Sequence, residues 1–164
     1  MKKSKTKGFS LIELLIVVAI ILIIAAIAIP NLLRSRIAAN EASTVGSLRT
    51  LNTAEVTYAT TYDSVGFTCT LSDFGPPSSG NPTSTAAGLI DSVLAGGAKA
   101  GYTIASNASG CTSAGGRMVS YEWRADPVTV GTTGQNYFCT DTSGVLKKHT
   151  ASVTNCLTTG SPIQ

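Results

Sequence analysis

A single carboxylate stands where charge is costly. Glu13 is the sole ionisable side chain in the run FSLIELLIVVAIILIIAAIAIP, residues 9–30. A charged group inside hydrocarbon costs at least about 2.5 to 3.5 kcal/mol on insertion scales and as a rule serves a function, so Glu13 needs a partner. The other groups with chemical capacity are four cysteines (Cys69, Cys111, Cys139, Cys156), one histidine (His149) and the aspartates Asp126 and Asp141 near loops. No GxSxG, HExxH or P-loop occurs, and no carboxylates pair at a spacing suited to acid/base work, so the sequence predicts no enzyme. No CxxC or Cys/His cluster has metal-ligand spacing, and no metal site is expected. His149, beside Lys147 and Lys148, reads as an exposed residue of an edge strand. Asp126 and Asp141 read as turn and surface residues, because no EF-hand-like ligand run surrounds them. Asn107-Ala108-Ser109 fits the glycosylation sequon, a three-residue match of little weight.

The apolar run sets the topology. About 20 residues at about 1.5 Å rise cross a hydrocarbon core of about 30 Å, and residues 9–29 reach that length. Lys2, Lys3, Lys5 and Lys7 precede the run, which predicts that this end stays in the cytoplasm and the rest of the chain is exported. Those four lysines also account for the net charge of +3: without them eight basic residues face nine acidic ones. An exported part so nearly neutral carries no footprint for nucleic acid. All four cysteines fall in that part, where disulfides persist. Four cysteines allow three connectivities. Cys69–Cys111 with Cys139–Cys156 is the favoured set, each bond tying down a loop-rich segment and contributing roughly 3 kcal/mol in the chain-entropy model. The nested pairing stays open.

A cleaved secretory signal would have a shorter apolar core and no carboxylate near its start, and a plain anchor explains the length but not Glu13. Lys7-Gly8-Phe9-Ser10-Leu11-Ile12-Glu13-Leu14, with the apolar run and Pro30-Asn31-Leu32 behind it, closely resembles the processing and methylation segment of type IV pilins and of type II secretion pseudopilins. The resemblance covers residues 7–42 in detail, and the remainder only in layout. It implies that a prepilin peptidase cuts between Gly8 and Phe9, that the new Phe9 amine is methylated, and that the mature chain joins a helical filament through an inner-membrane assembly platform. It also implies that calcium, which major secretion pseudopilins bind, is a weak expectation for Asp126 and Asp141. Once cut, Phe9 bears a positive amine near Glu13 in a low-dielectric setting, where either charge alone is costly. Glu13 of one chain is therefore expected to neutralise the Phe9 amine of a neighbour and to set the axial register. Where many members of the family have glycine in mid-run, this chain has Leu22, a good helix former, which predicts a stiffer helix with Pro30 as its kink site.

Beyond Pro30 the chain turns polar, and Ile37, Val45, Leu48, Leu51, Tyr58 and Tyr62 recur at helical spacing. One helix is expected from near Phe9 to about Tyr62, with Arg34, Arg36, Glu41, Arg49 and Glu55 as a solvated face or as ion-pairing groups between subunits. Residues 67–81 read as loop, residues 86–95 as a short helix, and residues 102–105, 118–124, 135–139 and 145–148 as strands, with a tight turn over 141–144. The fold class is α+β: a long N-terminal helix packed on an antiparallel sheet of about four strands. Its parts are a leader (residues 1–8), a transmembrane and filament-core helix (9–30), a stalk helix (31–62) and an extracytoplasmic head (63–164). The resemblance implies a structural subunit of a type IV pilus, for adhesion, twitching motility or DNA uptake, lodged in the inner membrane as a prepilin and then at the cell surface. The alternative it implies is a type II secretion pseudopilin in a periplasmic pseudopilus.

Overall fold

The computed structural model describes residues 8–152, 156 and 160–163; the leader lysines lie outside them. The chain falls into two compact units, one ending at Ser35 and the other beginning at Arg36. Helix α1, Leu11–Thr61, contributes to both. Within the first unit the described residues are helix and its N-terminal lead-in.

The second unit is a sheet with a helix on one face. Six antiparallel strands run in the order β1-β2-β5-β6-β7-β8, formed by Ala98–Lys99, Tyr102–Ser106, Glu122–Pro127, Tyr137–Asp141, Leu146–His149 and Ser161–Pro162. A separate hairpin, β3 (Ser113–Ala114) with β4 (Arg117–Met118), lies in sequence between β2 and β5. The sheet has two strands more than expected because β1 and β8 are two-residue edge strands, too short to leave a periodic signal. Register assigns the faces. Ile104, Ala125, Phe138 and Lys148 are in line across β2, β5, β6 and β7, as are Trp123, Thr140 and Leu146 across β5, β6 and β7. Since partners across a ladder share a face, Trp123, Ala125, Phe138 and Leu146 join Leu48, Leu51, Ala54 and Tyr58 of α1 in one buried core, closed by Phe74 and Leu94. The opposite face carries Glu122 opposite Asp141, then Arg124, Cys139 and Lys147 in line, with His149 opposite Tyr137.

Polar anchors fix α1 on its sheet. Glu55 is fully buried: Trp123 Nε1 donates to its Oε1 at 2.8 Å and Thr68 N to its Oε2 at 3.1 Å. Glu41 Oε1 accepts from the backbone N–H groups of Gln135 (2.9 Å) and Asn136 (3.1 Å). Asn52 Nδ2 donates to Thr140 Oγ1 at 2.9 Å and to the Gly144 carbonyl at 3.1 Å. Glu41 and Glu55 are thus internal ligands of the head, where the sequence suggests a solvated face or intersubunit ion pairs.

Other expectations change for local reasons. The helix expected over 86–95 reduces to α2, Ser92–Ala95, begun by Asp91, whose side chain accepts from Leu94 N at 2.8 Å. The residues before it are extended because their amides pair elsewhere: Ala87 N with Asp73 O, Gly88 N with Gly75 O and Ile90 N with Phe74 O. Gly88, at φ 67°, takes a backbone that other residues resist. His149 is buried, not exposed, and β7 is an interior strand covered by β8. The strand expected over 118–124 begins at Glu122, since Met118 belongs to β4. The turn over 141–144 forms, with Gly144 N donating to Asp141 O at 2.8 Å.

Burial pushes the Glu55 carboxyl up from 4.5 to about 7, against the two donated hydrogen bonds, and Asp73 nearby adds to the rise. A carboxyl that binds its proton more tightly in the folded state favours folding fully below about 4.5; that contribution is lost as pH rises through about 7. In detergent solution, unfolding followed by Trp123 fluorescence is expected to show the native chain losing up to about 3 kcal/mol from pH 5 to 8 relative to Glu55→Gln. Parallel pH profiles for the two proteins would contradict this account.

Candidate functional site: the N-terminal segment

The site begins where α1 begins. Leu14 N donates to Ser10 O at 3.2 Å, closing the first helical turn, and Ser10 N donates to Glu13 Oε2 at 2.9 Å. The glutamate thus reaches back to the residue that precedes the helix, which is the N3-to-N-cap half of a capping box. The pattern Ser10-x-x-Glu13 is legible in the sequence, and the reading that singled out Glu13 for its charge overlooked it. A carboxylate in the first turn also meets the positive end of the helix dipole, a stabilisation of about 0.3 to 1 kcal/mol at an exposed site. Glu13 Oε1 makes no hydrogen bond among the described residues.

Around this carboxylate every apolar side chain is uncovered. Phe9 is 82 % exposed, and Leu11, Ile12, Leu14, Leu15, Ile16, Val17 and Val18 are all exposed, with Leu22 at 63 %. The exposure continues through Ile29 to Leu33, on all sides of the helix. A helix that is apolar all round belongs in a membrane or inside a larger assembly. Seventeen large apolar side chains from Phe9 to Leu33 are exposed, and at about 1.5 kcal/mol or more each their transfer out of water is worth on the order of 25 kcal/mol. That exceeds the whole stability of an ordinary domain. Among the described residues this is the one helix long and apolar enough to cross a membrane, judged by length and composition.

The remaining predicted positions are dispersed. Gly8 and Phe9 lie before α1, exposed, with open space where a Cβ on Gly8 would stand. Pro30 lies inside α1, and helix continues on both sides of it. The structure bonds Cys69 to Cys111 and Cys139 to Cys156, closing separations of 42 and 17 residues. Asp126, on β5, approaches Arg124 at 3.8 Å, while Asp141, at the opposite end of the β5–β6 ladder, is buried with Oδ1 bonded to Ser143 N at 2.8 Å. The two carboxylates do not converge. Asn107 of the sequon is buried, and its amide donates to Glu122 Oε1 at 2.7 Å.

One grouping escaped the sequence reading. Cys139, His149 and Cys156 come together, all buried, with His149 Nε2 3.2 Å from Cys139 Sγ. Burial, chiefly, and then Lys147 hold the imidazole below its usual range, with Glu122 opposing them. The spacings of 10 and 7 residues match no metal motif, and only the β6–β7 register, which aligns Tyr137 with His149, brings the imidazole across.

Comparison with known proteins bears on the same segment. The family model described as the prokaryotic N-terminal methylation motif matches residues 3–29. The type IV wide pilus major component PilA4 of Thermus thermophilus is 69 % identical over 35 residues, which are 21 % of this chain and 27 % of that relative. The match therefore spans about a quarter of the relative's length. No solved structure matches. The methylation motif and this pilin relative both fall on the N-terminal apolar segment, and over that segment the chain is similar to a type IV pilin.

Proposed function

We propose that the chain is a structural subunit of a type IV pilus filament, cut between Gly8 and Phe9 by a prepilin peptidase and assembled through its apolar helix from a membrane-inserted precursor. The observation that carries this reading is the uncovered apolar surface of residues 9–33 with one carboxylate at its head. Before assembly the bilayer covers that surface. In a filament, copies of the same helix cover it, and little polar surface has to be desolvated in the exchange.

Glu13 gives the exchange its register. One of its oxygens caps Ser10, and a carboxylate has lone-pair sites for further donors, so Oε1 accepts a bond from the Phe9 amine of an adjacent subunit while the cap persists. Adding a subunit then removes an unpaired charge from a low-dielectric region. The pilus is favoured over the secretion pseudopilus because PilA4 is described as a pilus component and aligns with this segment at high identity. Surface shearing discriminates the two: sheared filaments containing the chain support the pilus, and retention in the periplasm supports the pseudopilus.

Two outcomes are expected. Mass analysis of the mature chain is expected to find a methylated N-terminus at Phe9; a chain starting at Met1 would exclude both filament readings. Glu13→Ala and Glu13→Gln are both expected to insert and to be cut, yet to yield at least about tenfold fewer filaments, since an unpaired buried charge costs several kcal/mol. The glutamine variant keeps a capping oxygen and loses only the charge. Normal filament yield from Glu13→Gln would reassign Glu13 to helix capping alone.

A further inference from the structure

The sheet face turned away from α1 holds a group of ligands that pilus assembly does not use. Cys139 on β6, His149 on β7 and Cys156 place one sulfur, one imidazole nitrogen and one sulfur within 4.8 Å of one another, and all three residues are buried. The imidazole is packed closely enough that a Cβ on Gly160 would collide with its ring. A second observation lies alongside. Glu122 is 1 % exposed; its Oε1 accepts from Cys156 N at 2.9 Å and from Asn107 Nδ2 at 2.7 Å, while its Oε2 has no hydrogen-bond partner among the described residues. Glu122 meets the group through Oε1, bonded to Cys156 N, while its bare Oε2 lies against Gly110, 2.7 Å from where a Cβ there would stand.

In the structure the two sulfurs are bonded to each other, and a disulfide sulfur is a poor ligand compared with a thiolate. Reduced, the same residues supply two thiolates and a neutral imidazole, a donor set suited to tetrahedral zinc. At about 2.3 Å per zinc–sulfur bond, two thiolates on one tetrahedral ion stand about 3.8 Å apart. With the Cα atoms of Cys139 and Cys156 5.8 Å apart, side-chain rotation reaches that separation with the backbone in place. We propose that Cys139, His149 and Cys156 form a redox-gated zinc site, closed to metal as the disulfide and open on reduction, with water in the fourth position. A zinc ion there would hold the C-terminal segment on β6 and β7 in the absence of the disulfide.

The chemistry balances with a phosphine as reductant. The Cys139–Cys156 bond breaks, the phosphine takes oxygen from water to become its oxide, and two thiols result; zinc(II) then displaces both thiol protons as two Zn–S bonds form. In a cell a protein dithiol would serve, ending as a disulfide.

The test uses the full chain in detergent with Cys69→Ser and Cys111→Ser, so that one thiol pair remains. Zinc is titrated against a chromophoric chelator before and after phosphine reduction, and cobalt(II) is substituted to report thiolate ligation. One metal per reduced chain is expected, with none on the disulfide form and with thiolate-to-cobalt charge transfer. His149→Gln is expected to weaken binding at least about tenfold. Amide exchange in β6 and β7 is expected to be slower in the reduced chain with zinc than without it, which separates a folded site from capture by an unfolded chain. Equal binding by oxidised and reduced chains, no binding after reduction, unchanged affinity in His149→Gln, or zinc without effect on β6 and β7 exchange would each overturn the proposal. No readout involves filaments, so the result stands apart from the proposed pilus role.

Discussion

The structure depends on one helix that meets two solvents. Over residues 11–33 α1 is exposed and apolar on every side, whereas from Thr44 onward it buries one stripe and leaves the rest polar. Helical propensity cannot produce that division, since leucine, isoleucine and alanine continue a helix whatever surrounds them. What changes along the helix is the partner demanded by its side chains. The first stretch asks for hydrocarbon or for other apolar helices, and the second asks for the sheet that the same chain supplies. Covering of the apolar stretch and folding of the head therefore draw on separate residues of one element, and a substitution in either stretch acts on its own process.

Docking of the second stretch rests on directional bonds as well as on area. Leu48, Leu51 and Tyr58 would bury comparable surface after a small axial slip, but Glu41, Asn52 and Glu55 would each lose specific donors or acceptors. A buried carboxylate whose two oxygens meet Trp123 and Thr68 is strongly penalised out of place, because it would then be desolvated without compensation. Apolar packing supplies the gross stabilisation, and these three residues select a single register.

Local signals made the N-terminal half legible. The apolar length and the helical spacing through Tyr58 are both short-range patterns, and the structure follows them with α1 ending at Thr61. Glu55 was misread because charge on a helix usually means solvent, although its place four residues after Leu51 and three before Tyr58 sets it within the apolar stripe. The capping half-box at Ser10 was likewise present in the pattern and was outweighed by the apparent oddity of the acid. Residues 86–90 misled for another reason: their amides are taken by carbonyls of residues 73–75, a partner that no local window contains.

His149 marks the limit of sequence reading in the head. Directly after two lysines near the C-terminus, it has every local attribute of a solvated edge residue, yet it is buried because Gly160 and Cys156 close over it and β8 extends the sheet past it. Burial of that side chain depends on Cys156 and Gly160, and the Cys139–Cys156 bond is what ties Cys156 to β6. With a 17-residue separation, the chain-entropy model assigns such a closure roughly 3 kcal/mol. Loss of the bond without a replacement would free Cys156 from β6, admit water to Cys139, His149 and the unpartnered oxygen of Glu122, and relax the polar face of the sheet. The disulfide and the side chains beside it therefore form one structural unit, in which the covalent tie keeps its own neighbours out of solvent.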